Sequence, residues 1–209
     1  MVAIQNIATD KKVTRSLNIM SKSKIVVITS TSRHGRSGRK IADWYIAEAK
    51  KTKVEAEFEL LDIAELDLPL FNEPMSPMMG QYSELQNKIA KVIGGADGFV
   101  FITAEYNHSI PGSLKNFMDY INAEWHHKAA AFVGYGSTGG IRAIEHLIAI
   151  LAELRVASVA TGSDHIHINA PWVAFDENGI PKKEHLHGNI ENQLKELVWW
   201  TNALKAARS

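Results

Sequence analysis

Gly98-Phe99-Val100-Phe101-Ile102-Thr103 is the stretch on which the fold turns. It is a continuous apolar run without a charge, and it reads as a strand buried on both faces, the central strand of a parallel sheet covered by helices. The run gives way to a polar loop, Thr103-Ala104-Glu105-Tyr106-Asn107-His108-Ser109-Ile110-Pro111. Pro111 then opens a helical stretch to Ala123, a first-turn position where its fixed φ and missing N–H do no harm. On the other side, Ser83 to Gly94 reads as a helix with Ser83 as N-cap and Gly94-Gly95 as its stop.

The same alternation extends outward. Ile25-Val26-Val27-Ile28 is another buried strand, and Arg39 to Lys51 carries Ile41, Ala42, Trp44, Tyr45, Ala47 and Ala49 at helical spacing. Val54 to Leu61 alternates apolar and charged residues, as a half-exposed edge strand does. Asp62 to Tyr82, with Pro69, Pro74 and Pro77, reads as an ordered loop or a short extra helix. Ala129 to Val133 is a further buried strand, Gly139 to Leu154 a helix, Val156 to Thr161 a fifth strand, and His185 to Ala207 a closing amphipathic helix. Five strands alternating with helices predict an α/β fold with an open, doubly wound five-stranded parallel sheet. Residues 23–209 are expected to form one domain, with 1–22 as an N-terminal arm. Two readings of that arm stay open, a loose extension or a chain whose start is Met20.

The 209 residues suit one domain with a sizeable core. Hydrophobic residues make up 45% and charged residues 22%, the balance of an ordinary packed protein. A formal net charge of zero gives no general pull toward nucleic acid or a membrane surface. No apolar run approaches a membrane span, and the first twenty residues lack the continuous apolar core of a secretory signal. The absence of cysteine excludes disulfides, thiolate metal sites and a cysteine nucleophile, and it fits a cytoplasmic setting.

In an open α/β sheet, ligands bind at the carboxyl ends of the strands, so the loops after the first, third and fourth strands belong together. The first, Ser30-Thr31-Ser32-Arg33-His34-Gly35-Arg36-Ser37-Gly38, sets hydroxyls, two guanidinium groups and two glycines before a helix N-terminus. That composition favours a phosphate over a merely solvated turn, although the P-loop spacing is missing. The second loop reads equally as a backbone edge for a flat aromatic ligand or as a plain helix start at Ser109 and Pro111. The third, Gly134-Tyr135-Gly136-Ser137-Thr138-Gly139-Gly140, contains a formal GxGxxG. It follows the fourth strand rather than the first, so it does not read as a dinucleotide fingerprint. Glycine there lets backbone pass close to a flat ring, or serves a plain turn. His126-His127, Asp164-His165-x-His167 and His185-x-His187 read as surface or interface histidines rather than a metal site, and Trp125 and Trp199-Trp200 as core or interface anchors.

These loops resemble those of the NADPH-dependent FMN reductase-like flavoproteins, in the branch whose first loop reads GSTRPGRxGxxxAxW. Arg33, Gly35, Arg36 and Gly38, with Ala42 and Trp44 at the matching later positions, fit that pattern. The second loop resembles TPEYNxSxPxxLKNxxD through Thr103, Glu105, Tyr106, Asn107, Ser109, Pro111, Leu114, Lys115, Asn116 and Asp119. The similarity runs from about Lys24 to the last helix. It implies a flavodoxin-like fold, non-covalent FMN, and NADPH or NADH as co-substrate. It also implies hydride transfer to a small acceptor such as a flavin, quinone, azo or nitro compound, or metal oxyanion. By the same resemblance, Thr31, Arg33, Arg36, Ser37 and Gly38, with Ser32 in the same loop, surround the FMN phosphate. Glu105, Tyr106 and Asn107, with Ala104, lie along the isoalloxazine, and Tyr135, Gly136, Gly139 and Gly140 cover another edge. No residue receives an acid or base role, because the flavin carries the chemistry. A homodimer or homotetramer is implied, pairing through the helices of 111–123 and 141–154. Ser30 stands where the family usually has Gly, and Ala104 where it has Pro; the expectation is that Ser30 crowds the phosphate and Ala104 loosens its loop. The rival class is a flavodoxin-like electron carrier fed by a protein, but such carriers are usually acidic and this chain is neutral.

Overall fold

The computed structural model describes residues 22–159 and 165–208. The expected arm therefore lies almost wholly outside the described residues. In chain order the elements are β1 (Ser23–Thr29), α1 (Gly38–Ala49), β2 (Ala56–Asp62), α2 (Glu84–Gly94), β3 (Gly98–Ala104), α3 (Gly112–Asp119), β4 (Ala129–Gly136), α4 (Ile141–Glu153), β5 (Ala157–Ser158), β6 (Ile166–Asn169), β7 (Leu186–His187) and α5 (Ile190–Arg208). The sheet runs β2-β1-β3-β4-β6-β7, with β5 also paired to β4.

Strands β1, β3 and β4 lack polar alternation because both of their faces are covered. Successive residues enter opposite cores, as the two-residue strand period demands. Val26, Ile28, Phe99, Phe101 and Phe132 pack with Ile89, Ile93, Leu114, Phe117 and Leu147 of α2, α3 and α4. Ile25, Val27, Val100, Ile102 and Val133 pack with Ile41, Tyr45, Leu194 and Leu197 of α1 and α5 on the other face. The chain leaves β1 for β2 on one side and returns to β3 on the other. This reversal opens a crevice at the carboxyl ends of β1 and β3, where the three loops converge. No helix among the described residues is long and apolar enough to cross a membrane.

Where the elements differ from expectation, the causes are local. The fifth parallel position is filled by two short strands rather than one. β5 pairs with the start of β4, and β6 joins further along, at Val133↔Ile166 through Gly136↔Asn169. Expected strand residues 160–161 lie outside the described residues. The Ile166-His167-Ile168-Asn169 segment buries its two isoleucines and half-exposes His167 and Asn169, as a strand near a sheet edge does. β7 adds a two-residue antiparallel edge through His167↔His187 and Ile168↔Leu186. Consequently α5 begins at Ile190, not His185: Gly188 turns the chain at φ 95°, and the Asn189 side chain accepts the Asn192 N–H at 3.0 Å. α3 stops at Asp119, short of Ala123, and a separate turn at 123–125 delivers Trp125 into the core, wholly buried. Ser83 caps α2 as expected, in a reciprocal box with Gln86. Trp199 and Trp200 stay exposed on α5.

Candidate functional site

A cavity of about 420 Å³ lies where the three loops meet. Arg33, Arg36 and Ser37 line it from the first loop, Ala104, Glu105 and Tyr106 from the second, and Tyr135 and Gly136 from the third. Several of the expected residues nevertheless work differently from the sequence reading.

Arg36 turns away from an open position. Its Nη2 donates to Asp62 Oδ2 at 2.8 Å, at the carboxyl end of β2. Asp62 is buried and accepts from the Thr29 hydroxyl at 2.8 Å and the Ala64 N–H at 3.2 Å. Burial pushes its carboxyl upward, but the bonds from Arg36, Thr29 and Ala64 outweigh burial and hold it below the usual carboxylate range. Arg36 Nε is itself buried and has no hydrogen-bond partner. Arg33 is more open, its Nε donating to Tyr106 Oη at 3.0 Å across the cavity mouth.

Tyr135 lines the cavity, whereas Thr31 does not. Both are buried, and their hydroxyls meet at 3.2 Å. Burial pushes the Tyr135 phenol up to about 12, so it stays a neutral hydrogen-bonding group at ordinary pH. Gly38 fits between them: a Cβ at that position would stand 2.9 Å from Tyr135 Oη and 3.1 Å from Thr31 Oγ1. Ser32 faces away, lining a second cavity with His34 and Asn116. Ser30, wholly buried, does not line the main cavity, so its side chain does not crowd it.

The second loop is a tight hairpin. Tyr106 and Ser109 exchange both backbone bonds, at 2.9 and 3.0 Å, around Asn107 and His108 at φ 48° and 67°. Two successive left-handed residues make a type I′ turn, and asparagine tolerates that region better than most side chains. Asn107 is thus present at the exposed apex for backbone reasons. The Glu105 side chain points under the loop, where it accepts the Arg142 N–H at 3.1 Å and pairs with the Arg142 guanidinium at 2.5 Å. It caps α4 with negative charge and ties the second loop to the third. Ser109 adds a second tie through its hydroxyl, 3.0 Å from His146 Nδ1. Gly140, at φ 72°, starts α4 where a Cβ would lie 2.5 Å from the Tyr135 nitrogen. The Gly139 carbonyl accepts from His167 Nδ1 at 2.9 Å, so His167 braces the glycine loop.

Pro171 and Trp172 also line the cavity and escaped the sequence reading. Trp172 is 71% exposed. The bond from the Ala170 N–H to the Gly136 carbonyl, at 2.9 Å, holds this segment against the third loop. Recognising Ile166-His167-Ile168-Asn169 as a strand would have placed them, since whatever follows it emerges at the same sheet edge.

The cavity suits a phosphate-bearing flavin. The N-terminus of α1 has no acidic residue in its first turn, and Ser37 makes no capping bond there. The buried Arg36 Nε is unpartnered beside it. Free N–H groups, an unused hydroxyl and an orphaned guanidinium nitrogen are the donor set a phosphate takes.

An open doubly wound sheet carrying a cavity at the carboxyl ends of β1, β3 and β4 defines a flavodoxin-like α/β protein. More narrowly, this chain belongs to the NADPH-dependent FMN reductase family, whose model matches residues 23–168. It is similar to an NAD(P)H-dependent FMN reductase of Schizosaccharomyces pombe, 38% identical over 120 residues, 56% of this chain and 60% of that one. It is similar as well to an NADPH azoreductase of a Bacillus species, 37% identical over 132 residues, 62% of this chain and 68% of that one. Its fold is like that of the flavoenzyme NAD(P)H:(acceptor) oxidoreductase of Paracoccus denitrificans. That likeness has a TM-score of 0.59 and 24% identity, covering 87% of this chain and 94% of the other.

Proposed function

We propose that this chain is an FMN-dependent NAD(P)H oxidoreductase that holds FMN non-covalently and passes electrons from NADPH or NADH to a small acceptor. The observation that carries the proposal is the unspent donor set at the start of α1, with its acid-free first turn, the uncommitted Ser37 hydroxyl and the buried, unpartnered Arg36 Nε. These groups, with Arg33, would hold the phosphate. The backbone of Ala104, Glu105 and Tyr106 would read the polar edge of the ring, and Gly136 and Ser137 would border it from the third loop. Bound there, FMN would supply the hydride-transfer chemistry. The protein's part is placement and electrostatics. Glu105 is committed to Arg142 and Tyr135 stays protonated, so neither is assigned a proton-transfer role. Tyr106 and Trp172 flank the mouth with flat faces that suit planar acceptors such as quinones.

The proposal includes a homodimer or homotetramer pairing through α3 and α4, acting in the cytoplasm. Ile141 is 49% exposed and Ile148 and Ile150 are half-buried on α4, which supports that face as the contact. Light scattering of the purified protein tests the assembly. The activity is tested by an absorption spectrum with added FMN, then NADPH without oxygen. Shifted flavin bands that bleach on NADPH addition are expected. Failure of FMN to bind at micromolar concentration would overturn the reading.

A further inference from the structure

The two positions at which the loops depart from the family pattern, 30 and 104, touch each other. The Ala104 N–H donates to Ser30 Oγ at 3.0 Å, with both residues buried. A proline at 104 would have no N–H to give, and a glycine at 30 no hydroxyl to receive it. The Ser30 backbone is pinned from two further directions. Its N–H donates to the Ile102 carbonyl at 3.1 Å, and its carbonyl accepts from the Ser113 hydroxyl of α3 at 2.7 Å. The next residue, Thr31, meets Tyr135 Oη at 3.2 Å. One patch of hydroxyls under the cavity therefore spans the ends of β1, β3 and β4.

We infer that Ser30 is a positioning residue for the flavin: through Ala104 it fixes the distance between the phosphate-binding start of α1 and the ring-reading backbone of 104–106. The inference rests on the proposed FMN reading. Two anchor points on rigid elements bind one ligand well only if their spacing matches it, because any adjustment on binding is taken from the affinity. Ser30 is wholly buried and does not line the cavity, so its contribution is the spacing itself. Positions 30 and 104 are then a single unit, with two workable solutions: a hydroxyl that accepts an N–H, or a glycine beside a residue that has no N–H to satisfy. A mixed pair leaves a buried donor or a buried hydroxyl without its partner.

The test compares FMN with riboflavin, which shares the ring but lacks the phosphate, using quenching of flavin fluorescence in five proteins: wild type, Ser30→Ala, Ser30→Gly, Ala104→Pro and the double Ser30→Gly/Ala104→Pro. Ser30→Ala is expected to weaken FMN on the order of tenfold, the scale of a lost hydrogen bond to a buried group. Riboflavin, which uses one anchor only, should change by less than about threefold, because the lost spacing term applies to two-anchor binding alone. The double variant should recover FMN affinity to within about threefold of wild type, since its loops leave no orphan donor. Equal losses for FMN and riboflavin would overturn the inference, as would no loss in Ser30→Ala or a double variant at least as weak as the sum of its parts. If Ser30→Ala fails to fold, Ala104→Pro against the double variant decides the same coupling. Wild type that binds no FMN refutes the proposed function instead. In that case protection of the Ala104 amide from hydrogen exchange, and its loss in Ser30→Ala, still reads out the contact by itself.

Discussion

Replacing Asp62 with Asn removes one charge from a buried cluster and leaves its shape nearly unchanged. Asp62 accepts from Arg36, Thr29 and Ala64. Asparagine keeps one oxygen, enough for Thr29 and Ala64, but turns an N–H2 group toward the Arg36 guanidinium. The loss is one charge-assisted bond plus an uncompensated, partly buried cation, about 3 kcal/mol in total. In a chain of this size that lowers Tm by roughly 6–12 °C. The pH dependence has a definite sign. The Asp62 carboxyl is held below its ordinary value in the folded state, so the folded protein binds fewer protons than the unfolded chain in the acidic range. The stabilisation is present in full above roughly pH 5 and disappears as pH falls through the folded value. Urea unfolding of wild type and Asp62→Asn, from pH 7 toward pH 4 and below, should show a wide gap that narrows only in acid. A gap under about 1 kcal/mol at pH 7, or one of unchanged width in acid, refutes the view that Asp62 works as the charged partner of Arg36.

Three further expectations have direct readouts. Arg33→Ala should weaken FMN about tenfold to a hundredfold and riboflavin far less, since a charge-assisted contact to phosphate is lost; equal effects on both flavins in titrations would remove Arg33 from the phosphate site. Trp172→Ala should raise KM for a planar quinone about threefold to tenfold while FMN affinity stays within about twofold, the scale of one lost stacking contact; an unchanged KM in steady-state assays rules out Trp172 as a docking face. Lys128 is buried, its Nζ donating to the Ile93 carbonyl at 2.6 Å and the Gly94 carbonyl at 3.1 Å, and burial, followed by repulsion from Arg208, pushes it down to about 8. Because the unfolded lysine holds its proton to about pH 10.4, wild type should gain stability relative to Lys128→Met as pH rises from about 8 to 10. Parallel denaturation curves for the two proteins across that range would contradict the shift.

Much of the scaffold was legible because it depends on local pattern. Apolar runs at 25–28, 98–103 and 129–133 read as buried strands, and Ser83 and Pro111 open helices through chemistry within one turn. The edge beyond β4 was less legible. β5, β6 and β7 are two to four residues long, too short for a period to show, and they exist because β4 offers them a partner. Missing β6 meant missing Pro171 and Trp172. Gathering the first, second and third loops needed only the rule that such sheets bind ligands at one edge.

The roles of individual side chains were a different matter. The family resemblance implied Arg36 at the phosphate, Glu105 and Asn107 along the ring and Tyr135 over another edge, but not what else each side chain holds. In the folded chain Arg36 is engaged by Asp62, 26 positions away. Glu105 caps a helix 37 positions on, Asn107 supplies a left-handed turn, and Tyr135 meets Thr31 across 104 positions. Ser30 and Ala104, read separately as two defects, are one hydrogen bond across 74 positions. The amino-acid sequence by itself determined the alternation of buried strands and helices, the three polar loops and their family, because hydrophobic period and turn chemistry act over a few residues. Which donors stay free for a ligand and which are consumed by the protein was decided by the tertiary structure alone. A hydrogen bond needs its partner within about 3 Å, and only the packed sheet brings residues so distant along the chain to that separation.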